Sequence, residues 1–211
     1  MKQIWISIRI TLFLMLVLGV AYPVIVTMVA QVAFPDKANG SLVYDDGLLR
    51  GSSLIAQNFE KPEYFWPRPS AVSYNPLPSG GTNAGPTAKG LLDAAKERGA
   101  KLRAANLGAG DPPQHLLFAS GSGLDPHQTL AAIKYQVSRV AVARGIPQNE
   151  VEKLVTDHLE GRQLGILGEE VVNVLALNRA LDKVKPIPES AAQEPQQDQV
   201  QPNHPLDSSG K

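Results

Sequence analysis

Residues 10–30 read ITLFLMLVLGVAYPVIVTMVA, and this stretch decides how the 211-residue chain is organised. No side chain between Arg9 and Asp36 is charged, and about 20 apolar residues suffice for a helix to cross the hydrocarbon layer of a bilayer. Pro23 is compatible with such a helix, because neighbouring groups in a membrane protein can satisfy the freed carbonyl. The alternative, a cleaved signal peptide, has a shorter apolar core of about 7–15 residues. We therefore predict an uncleaved transmembrane helix over residues 10–34.

The charges on either side of this helix predict its orientation. Lys2 and Arg9 precede it, whereas the following segment opens with Asp36 and a single Lys37. Positively charged residues are retained on the cytoplasmic side of a membrane. The sequence thus predicts a short cytoplasmic N-terminus over residues 1–9, with everything behind the helix exported.

Composition excludes several classes of protein. Twenty basic and 20 acidic residues give a formal charge of zero, which argues against a nucleic-acid binder because such proteins normally carry a basic footprint. The chain has no cysteine, so it cannot form a disulfide, a thiolate zinc site or a cysteine nucleophile. Residues 186–211 are rich in proline and glutamine, which predicts a disordered tail. The soluble exported domain is then expected over residues 35–185.

Within that domain the pattern predicts a mixture of strands and helices, an α+β fold. Short strands are expected over residues 47–59 and 115–119, and a helix is expected over residues 87–106, whose apolar residues recur at helical spacing. A further helix is expected to begin near Pro147. Residues 171–175 are too few for periodicity to decide between strand and helix.

A long apolar stripe begins at Pro126. The Asp125 side chain can cap a helix, proline fits its first turn, and Gly145 can end it in a left-handed conformation. Apolar residues recur at three- and four-residue spacing between these ends. They are Leu130, Ile133, Val137 and Val140. We therefore expect one helix that starts at Pro126 and buries this stripe.

Templates for cofactor and metal binding fail. A P-loop requires a lysine after its last glycine, but Gly85 is followed by Pro86, and residues 121–123 lack the third glycine of a dinucleotide fingerprint. The four histidines are scattered and form no pair with metal-ligand spacing. The sequence predicts no metal site and no tightly bound cofactor.

Residues 119–127, ASGSGLDPH, leave three interpretations open. The first is a tight turn before a capped helix. The second is an anion-docking site, because backbone amides at a helix N-terminus favour phosphate or carboxylate groups. The third is a hydrolase that uses Ser122, Asp125 and His127, although three triad residues in one turn rarely reach the required geometry.

The aromatic cluster of residues 64–66 is followed by an arginine between two prolines. It is either a rigid, packed turn or a docking surface for a partner, since aromatic and arginine side chains are typical interface anchors. The side chains of a docking surface would be Tyr64, Phe65, Trp66 and Arg68.

Seven short motifs, in a fixed order behind one N-terminal span, resemble a single known family. They are GSSLIAQ (51–57), YFWPRPS (64–70), YNPLPSGG (74–81), ASGSGLDPH (119–127), YQVSRVA (135–141), LGILGE (164–169) and VNVLALN (172–178). Together they look like the C subunit of the Kdp-type high-affinity potassium-transporting ATPase, over about residues 1–185. The tail lies outside this resemblance.

The resemblance implies a non-catalytic subunit of a complex in the bacterial inner membrane. Its partners would be a channel-like potassium-binding subunit, a P-type ATPase subunit and a very small fourth chain. In agreement, the sequence has no D-K-T-G phosphorylation motif. The family is also described as a catalytic chaperone that raises the ATP affinity of the ATPase subunit, with ATP in a ternary complex. The positions matched to such a contact are Ser120, Gly121, Ser122, Gly123, Asp125 and Gln136.

The expected topology limits how this chain can affect ATP binding and where it can contact partner helices. ATP is cytoplasmic, so an exported domain affects its binding only through coupling along the span. Within the membrane, small residues let helices approach closely, and we expect Gly19, Ala21 and Pro23 to do so here. The alternative functions are a membrane-anchored exported hydrolase and an anchored ligand-binding or sensory ectodomain.

Overall fold

The computed structural model describes residues 2–186 and opens with a long helix. This N-terminal helix consists of α1 (Lys2–Leu16), one π-helical turn (Val17–Ala21) and α2 (Tyr22–Ala33). At 32 residues it is long and apolar enough to cross a membrane, and the described chain buries none of its side chains. The predicted disordered tail lies outside the described residues except for Pro186.

The π-helical turn has a local cause in the sequence. Pro23 has no N–H to donate, and its ring would press on the carbonyl four residues back in a regular helix. The wider turn gives this ring room: the N–H of Tyr22 donates to the carbonyl of Val17, five residues back. The helix therefore continues through the proline instead of stopping there.

A short connection leads from the helix to a two-stranded antiparallel hairpin. It comprises α3 (Pro35–Ala38), followed by β1 (Leu42–Asp45) and β2 (Leu48–Ser52). The φ angles of Asp46 and Gly47 are +51° and +77°, as the tight turn between hairpin strands requires. The strand expected over residues 47–59 is confirmed only as far as Ser52.

Two further predictions fall on the segment between the hairpin and the central sheet. The helix expected over residues 87–106 is confirmed as α4 (Lys89–Ala105). The strand expected over residues 115–119 is wrong, because α5 (Gln114–Leu117) forms one helical turn there. The preceding Pro113 has φ −59°, and a proline fixed near this angle is suited to start a helix.

The single helix expected from Pro126 is also wrong in its first turn. Residues His127–Thr129 form strand β3, and the helix begins only after it, as α6 (Leu130–Lys134) and then α7 (Val137–Arg144). Asp125 does not cap the helix. Its Oδ1 accepts from the N–H of His127 at 3.0 Å, a local turn that directs the chain into the strand. Thr129 is the cap instead, with its Oγ1 accepting from Ala132.

The remaining elements complete a small antiparallel sheet with the order β3-β5-β4. The helix expected near Pro147 is confirmed as α8 (Gln148–Asp157), and β4 (Leu159–Glu160) follows it. Residues 171–175 contain both alternatives, since β5 (Val171–Asn173) passes directly into α9 (Val174–Val184).

The larger core cluster of the domain lies between α6–α9, strand β5 and the segment around Phe65. The stripe expected after Pro126 is largely confirmed: Ile133, Val137 and Val140 are buried, Leu130 packs against them, and Gly145 ends α7 with φ +59°. Full burial of one such side chain contributes about 1.5–3 kcal/mol. The other members of this cluster are Phe65, Ala141, Ile146, Val151, Val155, Val172, Val174, Leu177 and Leu181. One apolar N-terminal helix and a small mixed α/β domain are therefore confirmed.

Candidate functional site

The segment of residues 61–70 lies across the helices as an irregular strap, and buried side-chain amides hold it there. Asn178 of α9 is 1% exposed; its Oδ1 accepts from the N–H of Phe65 at 2.8 Å and its Nδ2 donates to the carbonyl of Phe65 at 3.0 Å. A buried backbone group without a partner is costly. The Asn178 amide therefore supplies the two hydrogen bonds that a neighbouring strand would otherwise form with Phe65.

The next residue of the strap is held in the same way by Gln136. The N–H of Trp66 donates to Oε1 of this fully buried glutamine at 2.8 Å, and Nε2 of the glutamine donates to the carbonyl of Trp66 at 3.3 Å. Gln136 therefore lies inside the domain with its amide occupied by the protein. It is one of the six positions that the resemblance matched to ATP contact.

Arg139 completes the support of the strap. Its Nη1 donates to the carbonyls of Pro62 and Tyr64, its Nη2 donates to Oε1 of Gln136 at 2.7 Å, and its guanidinium lies 4.2 Å from the centre of the Trp66 ring. Burial lowers the pKa of this guanidinium to about 10, so it remains charged at neutral pH. A charge with this many acceptors is stabilised despite its burial.

The turn of residues 119–127 packs against the loop that follows the strap. The N–H of Ser120 donates to the carbonyl of Pro69 at 3.1 Å, and the N–H of Gly80 donates to the carbonyl of Ser122 at 2.9 Å. At Gly123, where φ is +69°, an added Cβ would lie 2.6 Å from Val72 and 2.9 Å from the carbonyl oxygen of Gly80. The turn is thus a close-packed contact, and only glycine fits at residue 123.

Asp125 joins this turn to the strap. Its Oδ2 accepts from Nη1 of Arg68 at 2.8 Å, while its Oδ1 accepts from the N–H of His127. Both oxygens of Asp125 are therefore occupied within the protein, and Arg68 is paired with this carboxylate. Of the positions matched to ATP contact, five lie in this turn, where Ser120 is buried, and Gln136 lies in the core.

The hydrolase interpretation requires a base in contact with the nucleophile. The Ser122 hydroxyl instead accepts from the N–H of Leu124 at 3.1 Å, and the ring of His127 lies 3.9 Å from Asp125 and 3.8 Å from Glu160. Among residues 2–186 no hydrogen bond joins Ser122 to His127, and no group of three histidine or acidic side chains is placed to hold a metal ion. The described geometry does not assemble a triad.

A cavity of about 270 Å³ opens between the strap and α4. Its aromatic wall includes Trp66 and Tyr74, and α4 contributes Arg98 and Lys101. Lys101 Nζ lies 5.6 Å from the centre of the Trp66 ring, on which Arg139 also packs. Burial raises the pKa of the Tyr74 hydroxyl to about 12, and that hydroxyl donates to the carbonyl of Arg68.

The aromatic cluster is packed at Phe65 and partly exposed on either side of it, and its expected role as a docking surface stays a prediction. Phe65 is fully buried, so the packed turn describes this residue. Tyr64, Trp66 and Arg68 are each half-buried and reach the surface. In the N-terminal helix, Gly19, Ala21 and Pro23 are exposed, and their expected role against partner helices stays a prediction.

Sequence reasoning missed the side chains that hold the strap. Arg139 and Asn178 lie inside the motifs YQVSRVA and VNVLALN. The sequence pattern alone assigned neither of them a role. The available signal was a polar residue on a helix face that is otherwise apolar, as Asn178 is within VLALN. Such a residue predicts a buried partner, because buried polar groups are hydrogen-bonded.

Comparison with known proteins gives one consistent result. The model of the family described as K⁺-transporting ATPase, c chain, matches residues 4–183. A protein of Sorangium cellulosum named Potassium-transporting ATPase KdpC subunit is 52% identical over 184 residues, which cover 82% of this chain and 96% of the relative.

Two further relatives carry the same name. That of Paraburkholderia phytofirmans is 51% identical over 173 residues, covering 80% of this chain and 90% of its own. That of Geobacter sulfurreducens is 47% identical over 190 residues, covering 88% of this chain and all of its own. The resemblance inferred from the seven motifs is confirmed.

Proposed function

Because the chain belongs to the KdpC family, the c chains of K⁺-transporting ATPases, we propose that it is the accessory subunit that holds such a complex together. The observation that supports this most is the extent of the family match. Residues 4–183 include both the apolar helix and the whole α/β domain. Both parts are therefore expected to serve one complex, in which ATP hydrolysis belongs to another subunit.

We propose that the N-terminal helix spans the bacterial inner membrane once, with the domain on the periplasmic face. The helix is long and apolar enough, and Lys2 and Arg9 precede its apolar stretch. Positive charge before the span favours a cytoplasmic N-terminus. A reporter enzyme fused behind Val184 tests this directly: activity in the periplasm is expected, and activity confined to the cytoplasm would overturn the topology.

In this arrangement the domain braces the assembly. Trp66, Tyr64 and Arg68 reach the surface from a strap whose backbone is fixed by Asn178 and Gln136. A docking residue on such a fixed backbone loses little conformational freedom when it binds. We propose the channel-like potassium-binding subunit and the ATPase subunit as the partners, with the small fourth chain beside the span.

We propose that contact in the membrane uses the region around the π-helical turn. Gly19 and Ala21 have small side chains that let another helix approach, and Pro23 widens the turn beside them. Replacement of Gly19 by leucine is expected to weaken assembly. The control is leucine at Ala33, at the end of α2, where a slightly smaller added volume is expected to have little effect.

The effect on ATP affinity is the finer part of the proposal. Since Gln136 and Asp125 are occupied by protein contacts and the domain is expected outside, we propose that any increase in ATP affinity is transmitted through the span. The KM for ATP of the membrane complex is then expected to rise when this chain is removed. An unchanged KM would contradict this part and leave the structural role standing.

Loss of the chain tests the function itself. Cells that lack it are expected to stop growing where potassium is scarce, and the intact chain is expected to restore growth. A chain with Ser122→Ala is expected to restore growth equally. Failure of that variant alone, with the chain still present in the membrane, would favour the exported hydrolase instead.

A further inference from the structure

The hairpin of β1 and β2 has one face on the domain and one face open. On the face of Asp45, Nε of Arg179 in α9 donates to Oδ2 of Asp45 at 2.9 Å, while Leu48, paired with Asp45 at the tip of the hairpin, is 60% exposed. On the other side, Tyr44 and Leu49 lie directly opposite each other in the ladder, and Leu42 shares their face because side chains alternate along a strand. Leu42, Tyr44 and Leu49 are 46%, 54% and 57% exposed.

The exposed apolar side chains of this open face form one surface and are not scattered singly. A single exposed leucine needs no explanation in a folded protein, but here three large side chains share one face of a two-stranded ladder. Leu54 and Ile55, which follow the hairpin directly, are also exposed. Contiguous apolar surface of this kind marks a site of interaction with another protein or with a membrane.

Hydrogen bonds hold the base of the hairpin at the end of the N-terminal helix. The side-chain amides of Gln31 and Asn39 are joined by two contacts of 3.2 and 3.3 Å. The N–H of Ser41 donates to the carbonyl of Asp36 at 2.8 Å, and Ser53 donates its N–H to the carbonyl of Ser41 at 3.0 Å. The hairpin is thus tied to the point where the apolar helix ends.

We propose that the open face of this hairpin, Leu42, Tyr44 and Leu49, rests on the surface of the lipid bilayer beside the helix. The inference depends on the proposed function in one respect, namely that the helix spans the membrane. The span then leaves the hydrocarbon layer near Phe34, and the hydrogen bonds above keep the hairpin close to that level. The domain therefore has a second membrane contact.

The composition of the face favours lipid as the occupant. Tyrosine is enriched where membrane and water meet, because its ring is apolar and its hydroxyl is polar. Arg50 is the extra residue of the bulge opposite Val43 and Tyr44 and is exposed, and Lys37 lies exposed in the connection. Asp36 and Asp46 are also exposed in these segments, so lipid is favoured by the apolar side chains, the tyrosine and the position at the end of the span, and not by net charge.

Such a contact fixes how the domain stands on the membrane. A single span leaves the domain free to rotate and tilt relative to the membrane. A second contact through the hairpin face restricts both motions. Because Asp45 joins the hairpin to α9, the orientation is transmitted to the core. The surface of the strap is then presented to neighbouring subunits at a fixed height.

The absence of cysteine makes the test clean. Full-length chains that each carry one new cysteine, Tyr44→Cys or Leu49→Cys, are labelled with a nitroxide and placed in vesicles of neutral and anionic phospholipid. Collisions with oxygen, which concentrates in lipid, are compared with collisions with a water-soluble nickel chelate. Leu107→Cys is the control for an exposed leucine away from the hairpin, and Leu18→Cys is the control within the span.

We expect an oxygen-to-nickel ratio several-fold higher at residues 44 and 49 than at residue 107. Equal ratios at these three positions would overturn the inference, provided that residue 18 is lipid-exposed. The measurement is repeated in the assembled complex, where exclusion of both reagents from residues 44 and 49 would overturn it in favour of a protein partner. A water-exposed label at residue 18 would instead contradict the span, and with it the proposed function.

Discussion

Single buried amides determine how the strap is held. Asn178 and Gln136 each bind both the N–H and the carbonyl of one residue, Phe65 and Trp66 respectively. The two helices that supply these amides thereby act as partners for an irregular backbone. An apolar side chain at either position would leave two buried backbone groups unpaired, and each of those costs about 1–3 kcal/mol.

Replacement of Asn178 by leucine tests this role with a side chain of the same heavy-atom number and branching. The free energy of unfolding is expected to fall by about 1–3 kcal/mol for each unpaired group, measured by denaturant titration of the full chain in detergent. Gln148→Leu is the matched control, because that amide is exposed on α8 and bonds only Glu152. Equal stability of the two variants would contradict the role assigned to Asn178.

Two neighbouring glycines allow an equally direct comparison. Alanine at residue 123 would place its Cβ 2.6 Å from Val72 at a φ of +69°, whereas alanine at residue 121 would meet no atom within 4 Å. Gly123→Ala is therefore expected to destabilise the domain by about 1–3 kcal/mol, and Gly121→Ala by less than about 0.5 kcal/mol. Thermal unfolding followed by circular dichroism measures both variants, and similar midpoints would show that the turn is not close-packed.

Elements were predictable where the local signal agreed with the tertiary structure. The spacing of apolar residues predicted α4, α8 and the buried stripe of α6 and α7. The prediction that a left-handed Gly145 ends the helix is confirmed. The start of that helix was not predictable, because Asp125 can either cap a helix or form a tight turn. Its pairing with Arg68 and the pairing of β3 with β5 decide the outcome, and both contacts are remote in sequence.

The attachment of the hairpin to α9 is expected to depend on pH. The hydrogen bond from Arg179 lowers the pKa of the Asp45 carboxyl below its ordinary value of 3.8. Because the folded-state pKa is the lower one, this contact stabilises the fold fully above about pH 4 and is lost as the pH falls through the folded value.

Asp45→Asn should therefore reduce thermal stability at pH 7, and the difference from the original chain should shrink towards pH 3. Asp46→Asn is the control, since residue 46 lies in the turn at a positive φ that asparagine also adopts. A difference that stays constant with pH would contradict the ion pair as the cause.

For the whole molecule, the division into helix and domain followed from composition, whereas the arrangement of the candidate residues did not. An uncharged apolar stretch is visible in consecutive residues of the sequence, without any long-range contact, and it identified the helix. The strap, the turn of residues 119–127 and the amides of α6–α9 come together only through long-range contacts. Sequence spacing alone could not show that Gln136 is a structural support.

The C-terminal tail is expected to be dispensable for assembly. The family match ends at residue 183, and the last described contacts of the chain are those of Lys185 with Arg144 and Gly145. A chain that ends at Pro186 is therefore expected to enter the complex in the same amount as the full chain. Quantitative blotting of the purified complex checks this, and a loss of more than half would assign the tail a role in assembly.

As an accessory subunit of a potassium-transporting ATPase, this chain should be purified from its native membrane together with the rest of the complex. A tagged chain is extracted in mild detergent and isolated through the tag. We expect larger membrane subunits to co-elute with it and the eluate to hydrolyse ATP faster when potassium is added. A chain that elutes alone, without potassium-stimulated ATPase activity, would contradict the account.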